Sequence, residues 1–279
     1  MSTDLVVTDL KDAIPSLASA DKEEGEKIAR LFQSLYAVPE GMDEDEGTRG
    51  PDIVKVRQSN TKDQMLPADA KEGAVWSAGE TLWQPTQGKD DPWLFVPIYR
   101  WISHARFQVG QRSPDCKSDD GKWNIYGTQK CDDCPDLPWR DGEIQLCRRS
   151  QNFIVVPLDF SGVYHLQFSK TSFSAGSVIA KTARKRGTRA LWQNVFGLST
   201  KMMTNGAGQS WYVLDVAPHL HVEVSDAATE LGRVVYTQYK QFREGRLEQQ
   251  QSQRETADSV LREGGPELIS DDSGFEDTM

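Results

Sequence analysis

The stretch WLFVPIYRWISHARFQV, residues 93–109, decides how the rest of the chain is read. It is rich in β-branched and aromatic residues and reads as a strand. From residue 99 onward Tyr99, Trp101, Phe107 and Val109 fall on one parity, and Arg100, His104, Arg106 and Gln108 on the other. An extended backbone sends the two sets to opposite faces, which predicts an aromatic face toward the core with Arg100 and Arg106 outward. Pro97 has no N–H for a ladder, so it marks an edge or a bulge near the strand's beginning.

Short apolar runs separated by Gly, Pro, Asn and Asp continue on both sides of this stretch. They predict further strands over 53–58, 74–76, 122–126, 152–158, 164–169 and 211–217, interrupted by one helix over 173–188. The chain is therefore mainly β, with its core over 51–218. Upstream, Ile28, Leu31, Phe32, Leu35 and Tyr36 repeat as one helix face, with Asp21, Glu23 and Glu24 suited to that helix's N-terminus. This short helix belongs to an acidic N-terminal arm, 1–50, whose run GMDEDEGTRGPD (41–52) reads as a linker. Downstream, Leu231, Val234, Val235, Tyr239 and Phe242 predict a helix within 219–262 that docks through its first half and turns polar from Arg243. Residues 263–279 carry six carboxylates and no Lys or Arg, a composition expected to stay a disordered acidic tail.

The 279 residues carry 42 acidic and 32 basic side chains, a net charge of −10, with 37% hydrophobic residues. No apolar run approaches the roughly 20 residues of a membrane span, and the acidic N-terminus lacks the pattern of a secretory signal. A cytoplasmic protein with no membrane partner is expected. The charge is uneven: residues 1–97 sum to −9, 98–201 to +7 and 202–279 to −8. Salt screens charges beyond about 8 Å, so a ligand at the middle segment meets a basic surface, and nucleic acid is not excluded by the acidic total. Of the 25 aromatic residues, 17 lie between Trp93 and Tyr212, as a folded core would require and as a base-stacking surface would also require. Lys181, Arg184, Lys185, Arg186 and Arg189 crowd the end of the helix over 173–188, more cations than helix capping needs, and form the best phosphate-contact cluster.

Cys116, Cys131, Cys134 and Cys147 fall within 32 residues, spaced C-x14-C-x2-C-x12-C. In a reducing cytoplasm this spacing resembles a zinc ribbon rather than two disulfides. His104 competes as a ligand: His104, Cys116, Cys131 and Cys134 would also close a site and leave Cys147 in the core, although the all-cysteine set is preferred. Either set uses four protein ligands, so Zn2+ would be structural, stapling an insertion over 111–148 that has too few apolar residues to fold alone. Asp115 with Asp120 and Lys122 is the one constellation that would suit a metal-dependent nuclease. The deaminase pattern fails, because His104 is followed by Ala105-Arg106 and Cys131 is preceded by Lys130, and no phosphate loop or nucleophile elbow is present. No catalytic residue is nominated, and a non-enzyme is expected.

Several short motifs together resemble a group of tailed-phage proteins regarded as single-stranded DNA-binding proteins with an oligonucleotide-binding (OB) barrel. They are PDIVKVRQS (51–59), EGAVW (72–76), LFVPIY (94–99), NFIVVP (152–157), SKTS (169–172) and FGLSTK (196–201). The plan is also similar to the T-even phage helix-destabilising proteins, which join an OB barrel to a zinc-bearing insertion and an acidic tail. The resemblance implies a protein of the infected bacterial cytoplasm that protects and organises single-stranded DNA in replication and recombination. On this reading Arg100, Arg106, Arg148, Arg149, Lys181, Arg184, Lys185, Arg186 and Arg189 contact phosphates, while Tyr99, Trp101, Trp123, Tyr126 and Trp192 stack bases. Asp271, Asp272, Phe275, Glu276 and Asp277 in the tail would recruit replication or recombination proteins, and self-association stays open. The alternatives are a zinc-ribbon adapter that docks on a host protein such as RNA polymerase or a nuclease, and the metal-dependent nuclease itself.

Overall fold

A computed structural model describes residues 14, 16, 19–36, 51–87, 91–108, 113–124, 129–136, 146–187, 190–219 and 223–262. In chain order its elements are α1 (Lys22–Tyr36), β1 (Asp52–Ile53), β2 (Lys55–Val56), β3 (Val75–Ser77), β4 (Glu80–Trp83), β5 (Trp93–Arg106), β6 (Cys116–Ser118), β7 (Cys147–Pro157), β8 (Tyr164–Ser169), α2 (Phe173–Arg186), β9 (Val195–Thr204), β10 (Ser210–His219) and α3 (Asp226–Arg262). The fold is mainly β. One seven-stranded sheet runs β1-β8-β7-β5-β9-β10, with β6 added to β5, and it curls into a half-barrel; β2-β3-β4 form a separate small sheet. Among the described residues no helix is long and apolar enough to cross a membrane.

β5 organises the sheet. Along one edge it pairs antiparallel with β7 from Phe95↔Pro157 to Arg106↔Cys147; its beginning also pairs with β9, and its end with β6. The β5–β7 register slips between Pro97 and Tyr99, a bulge at the proline that the sequence marks. Trp93 and Phe95 before the bulge face the inside of the curl with Phe153, Leu166, Phe168, Phe196 and Leu198, whereas Tyr99 and Trp101 after it face the other way. β7 is buried along 150–157, as a strand covered on both faces must be.

The outer face of the curl is covered by the two terminal helices. Val96, Ile98, Ile154 and Val156 pack against Ile28, Leu31 and Phe32 of α1 and Ala227, Ala228, Leu231 and Val235 of α3. Asp21 caps α1 by accepting the N–H groups of Glu23 and Glu24 through its Oδ1 at 3.0 and 3.4 Å. Ser225 caps α3, accepting Ala228 N–H at 3.1 Å, and donates to Glu24 of α1 at 2.6 Å. Ser16 donates its N–H and hydroxyl to the Glu230 carboxylate at 3.0 and 2.6 Å, so the N-terminal arm is tied to α3 by hydrogen bonds as well as by apolar contact.

Segment 52–58 bridges the edges of the curl. β1 lies parallel to β8, and Val54 donates to His165 O at 2.9 Å. The Gln58 amide then meets β10 as a strand would: its Nε2 donates to Tyr212 O and its Oε1 accepts Tyr212 N–H, both at 2.8 Å.

β4, β6 and β9 add three strands to those expected, and β7 begins five residues earlier than the stretch over 152–158. The strand expected over 122–126 is reduced, within the described residues, to a single bridge between Trp123 and Lys130. The tail over 263–279 and the linker up to residue 50 lie outside the described residues.

Gly232 sits inside α3, in its second turn, where glycine ordinarily costs about 1 kcal/mol against alanine. A Cβ there would stand 2.7 Å from Trp192 Cβ. Gly232→Ala is therefore expected to lower the thermal midpoint rather than raise it; a rise in calorimetry would show that α3 does not seat this closely on Trp192.

Candidate nucleic-acid interface and cysteine cluster

Basic side chains from three elements meet beside α2. Arg100 on β5 donates from Nε and Nη2 to Gln151 Oε1 at 3.3 and 2.9 Å, and its guanidinium carbon lies 6.0 Å from the Phe153 ring centroid. Gln151 on β7 is 1% exposed and donates onward to Phe173 O and Ser177 Oγ at 2.9 and 2.7 Å, which seats the first turn of α2. Burial, then the charges of Arg184 on α2 and Arg149 on β7, lower the Arg100 pKa, so both guanidiniums stand near enough to Arg100 to act on its charge. Arg149 is exposed and lies 5.9 Å from the Phe173 ring. Burial, then the charge of Arg148, likewise lowers the Lys170 pKa. Lys170 holds a positive φ of 50°, a conformation that non-glycine residues adopt rarely.

The remaining expected phosphate contacts are distributed differently. Lys181, Arg184 and Lys185 are exposed along the end of α2, while Arg186 donates to Asn194 Oδ1 at 3.1 Å. Arg106 is clamped by two carboxylates, Asp115 at 3.1 Å and Asp136 at 2.9 Å, which raise its pKa and turn its charge into the insertion. Arg189 lies outside the described residues.

Among the aromatics, Trp123 is 37% exposed with Lys130 Nζ 5.4 Å above its ring. Trp192 is half-buried and packs 5.0 Å from Tyr236 of α3, a contact that helps dock the helix. Tyr99 and Trp101 are half-buried beneath α3, their rings 5.8 Å apart. Trp101 stacks on His165 at 5.0 Å, and the Arg243 guanidinium covers its ring at 4.7 Å. Tyr126 lies outside the described residues. The sequence pattern assigns no contact role to Gln151, Asn152, Lys170 or Arg243. Two consecutive amides leading into the apolar run Phe153-Ile154-Val155-Val156 were the available signal for the first pair.

The cysteines come together around the end of β5. Cys116 on β6 and Cys147 on β7 both sit opposite Arg106, and a turn at 131–134 adds Cys131 and Cys134. A cavity of about 20 Å³ is lined by all four cysteines and His104. His104 is 6% exposed, and neither ring nitrogen has a hydrogen-bond partner among the described residues. Burial, followed by the neighbouring thiolates, pushes the Cys147 thiol up to about 12, and burial also raises Cys116 and Cys131. As placed, no three His, Cys, Asp or Glu side chains among the described residues stand close enough to hold a metal ion. Asp115 is engaged by Arg106 and Gln108, and Asp120 Oδ1 accepts from Ser118 Oγ and from the N–H groups of Lys122 and Trp123.

Burial beneath α3, with Arg243 beside it, depresses the His165 pKa to about 4. The unfolded chain then binds a proton that the folded protein refuses, so stability falls as pH drops from 6.5 toward 4. His165→Gln is expected to flatten that part of the profile, read as the urea midpoint at pH 7, 5.5 and 4.5; an unchanged profile would refute a buried neutral imidazole.

The chain matches no protein-family model, no curated protein and no solved structure.

Proposed function

We propose that this chain is a sequence-independent single-stranded DNA-binding protein built on an OB-type barrel, which protects and organises single strands during phage replication and recombination. One observation carries the reading: Arg100 and Arg149, from neighbouring strands, flank the first turn of α2, Arg100 through Gln151 and Arg149 over the Phe173 ring, with the exposed Lys181, Arg184 and Lys185 farther along the same helix. A phosphodiester backbone supplies a row of anions for such a row of cations.

The strand path supports the barrel. A meander β5-β7-β8, then α2, then the hairpin β9-β10 returning beside β5, has the connectivity of a partly open five-stranded Greek-key barrel. In such barrels oligonucleotides lie across the second and third strands, between the first loop and the last. Here those positions fall to the cysteine insertion and to the uncharged hairpin tip Asn205-Gly206-Ala207-Gly208. Phosphates would pair with the arginines while aromatic rings stack bases, which recognises any sequence.

Zinc held by Cys116, Cys131, Cys134 and Cys147 would make the insertion a rigid wall of this groove. The fit rests on the small cavity that all four cysteines line; closing it to ligand distance needs the side chains to draw together, and a bound cation would favour the thiolates that burial now disfavours. His104, orphaned in the same cavity, is the competing ligand. The acidic tail with Asp271, Asp272, Phe275, Glu276 and Asp277 is proposed to recruit partner proteins.

Fluorescence anisotropy with poly(dT) and a matched duplex over a salt series tests the activity. The single strand is expected to bind more tightly, with a steep salt slope that flattens by about 0.7 for each of Arg149 and Arg184 changed to Ala. Absence of binding at low salt would transfer the basic cluster to an acidic protein partner. Metal analysis is expected to give one zinc per chain, with chelation lowering the thermal midpoint. Cys147→Ser is expected to lose the metal and His104→Gln to keep it; the reverse pattern would put His104 in the ligand set.

A further inference from the structure

Between the outer face of the curl and the second half of the α3 dock lies a cavity of about 340 Å³, near the small end of the roughly 300–1,000 Å³ that ligand pockets occupy. Its walls are aromatic and its floor carries amides: Tyr99, Trp101, Asn152, His165, Gln167 and Arg243 line it. Trp101 is fixed from below, because His165 stacks on it and His165 Nε2 is bonded to Asn152 Oδ1 at 3.0 Å. Asn152 is held in turn by Ser103 Oγ at 2.8 Å and Gln167 Nε2 at 3.3 Å. The indole is also met by the Arg243 guanidinium, which reaches from α3 and donates to the Asp119 carbonyl of the insertion. An indole carrying a planar guanidinium at 4.7 Å in the wall of a cavity, with an exposed amide at the margin, offers the groups that hold an unstacked base.

We propose that Trp101 and Arg243 are the two faces of a clamp that takes one unpaired nucleobase between indole and guanidinium, with its polar edge toward the exposed Gln167 amide. The proposal rests on the single-strand reading and deepens it by assigning one nucleotide to a defined position beneath α3. Entry of the base requires the Arg243 guanidinium to leave the indole, exchanging a cation–π contact for two stacking contacts. The aromatic and amide lining favours a heterocycle over a bare phosphate, for which a single, already engaged guanidinium would be a poor host.

The test compares binding of the full-length protein to an oligo(dT) and to an abasic oligonucleotide of equal length, which keeps the phosphates and removes the bases. Wild type is expected to bind oligo(dT) at least about tenfold more tightly, the order of one lost base stack. Trp101→Leu and Arg243→Met are each expected to remove most of that difference, with Arg243→Met also weakening both strands alike through the loss of one cation. Should Trp101→Leu fail to fold, Arg243→Met, which keeps an aliphatic stem, decides alone. Equal affinity of wild type for the two strands would overturn the clamp and leave the phosphate-binding reading standing. Tighter binding of both strands by Arg243→Met would overturn it too, by making α3 a cover that must leave. No binding to either strand at low salt would overturn the single-strand reading itself.

Discussion

The bulge at Pro97 is the constraint on which the rest depends. A strand that kept its parity from Trp93 to Arg106 would send Tyr99 and Trp101 to the same side as Trp93 and Phe95, into the curl. One extra residue against β7 reverses that, so Phe95 fills the inside while Tyr99 and Trp101 emerge beneath α3. The same reversal turns Arg100 toward α2, where Gln151 holds it. The basic cluster and the aromatic platform thus occupy opposite faces of one strand.

A strand buried on both faces creates an obligation outside the curl. Val96, Ile98, Ile154 and Val156 would present an apolar surface to water without α1 and α3, and covering them supplies the driving force that docks both terminal segments. The polar ties Ser225–Glu24 and Ser16–Glu230 fix the orientation of that dock and contribute less than the burial. Because the cover is one long helix, its first three turns can be a structural lid while the next, at Tyr239, Phe242 and Arg243, stand over the cavity.

Local patterning carried much of the fold. The helical repeat at Ile28, Leu31 and Phe32, the strand over 164–169 and the helix beginning at Phe173 were all readable, because each buries one face at a fixed period. β9 is absent from the expected strands: its run Val195 to Thr204 ends in the exposed residues Lys201, Met202, Met203 and Thr204, and that end is held as strand by pairing with β10. β6 has three residues and exists through its ladder to β5. In the candidate site, the alternation of Arg100 with Tyr99 and Trp101 was legible, but what each side chain meets was not. The clamp on Arg106 by Asp115 and Asp136, and the docking of Trp192 on Tyr236, are contacts between distant segments that no single stretch encodes.

Gln151 and Asn152 link the two faces. They are neighbours in a buried strand, each 1% exposed, and point to opposite sides. A buried amide left without partners costs about 1–3 kcal/mol, whereas a satisfied hydrogen bond returns only about 0.5–1.5, so such residues act mainly by forbidding arrangements that leave them unpaired. Gln151 is satisfied only if Arg100 and the first turn of α2 are in place. Asn152 is satisfied only if Ser103, His165 and Gln167 are in place beneath α3. An apolar pair at these positions would bury as well and would impose none of these conditions. The two amides therefore specify, from adjacent positions on one strand, where the guanidiniums gather and how the indole of Trp101 is presented.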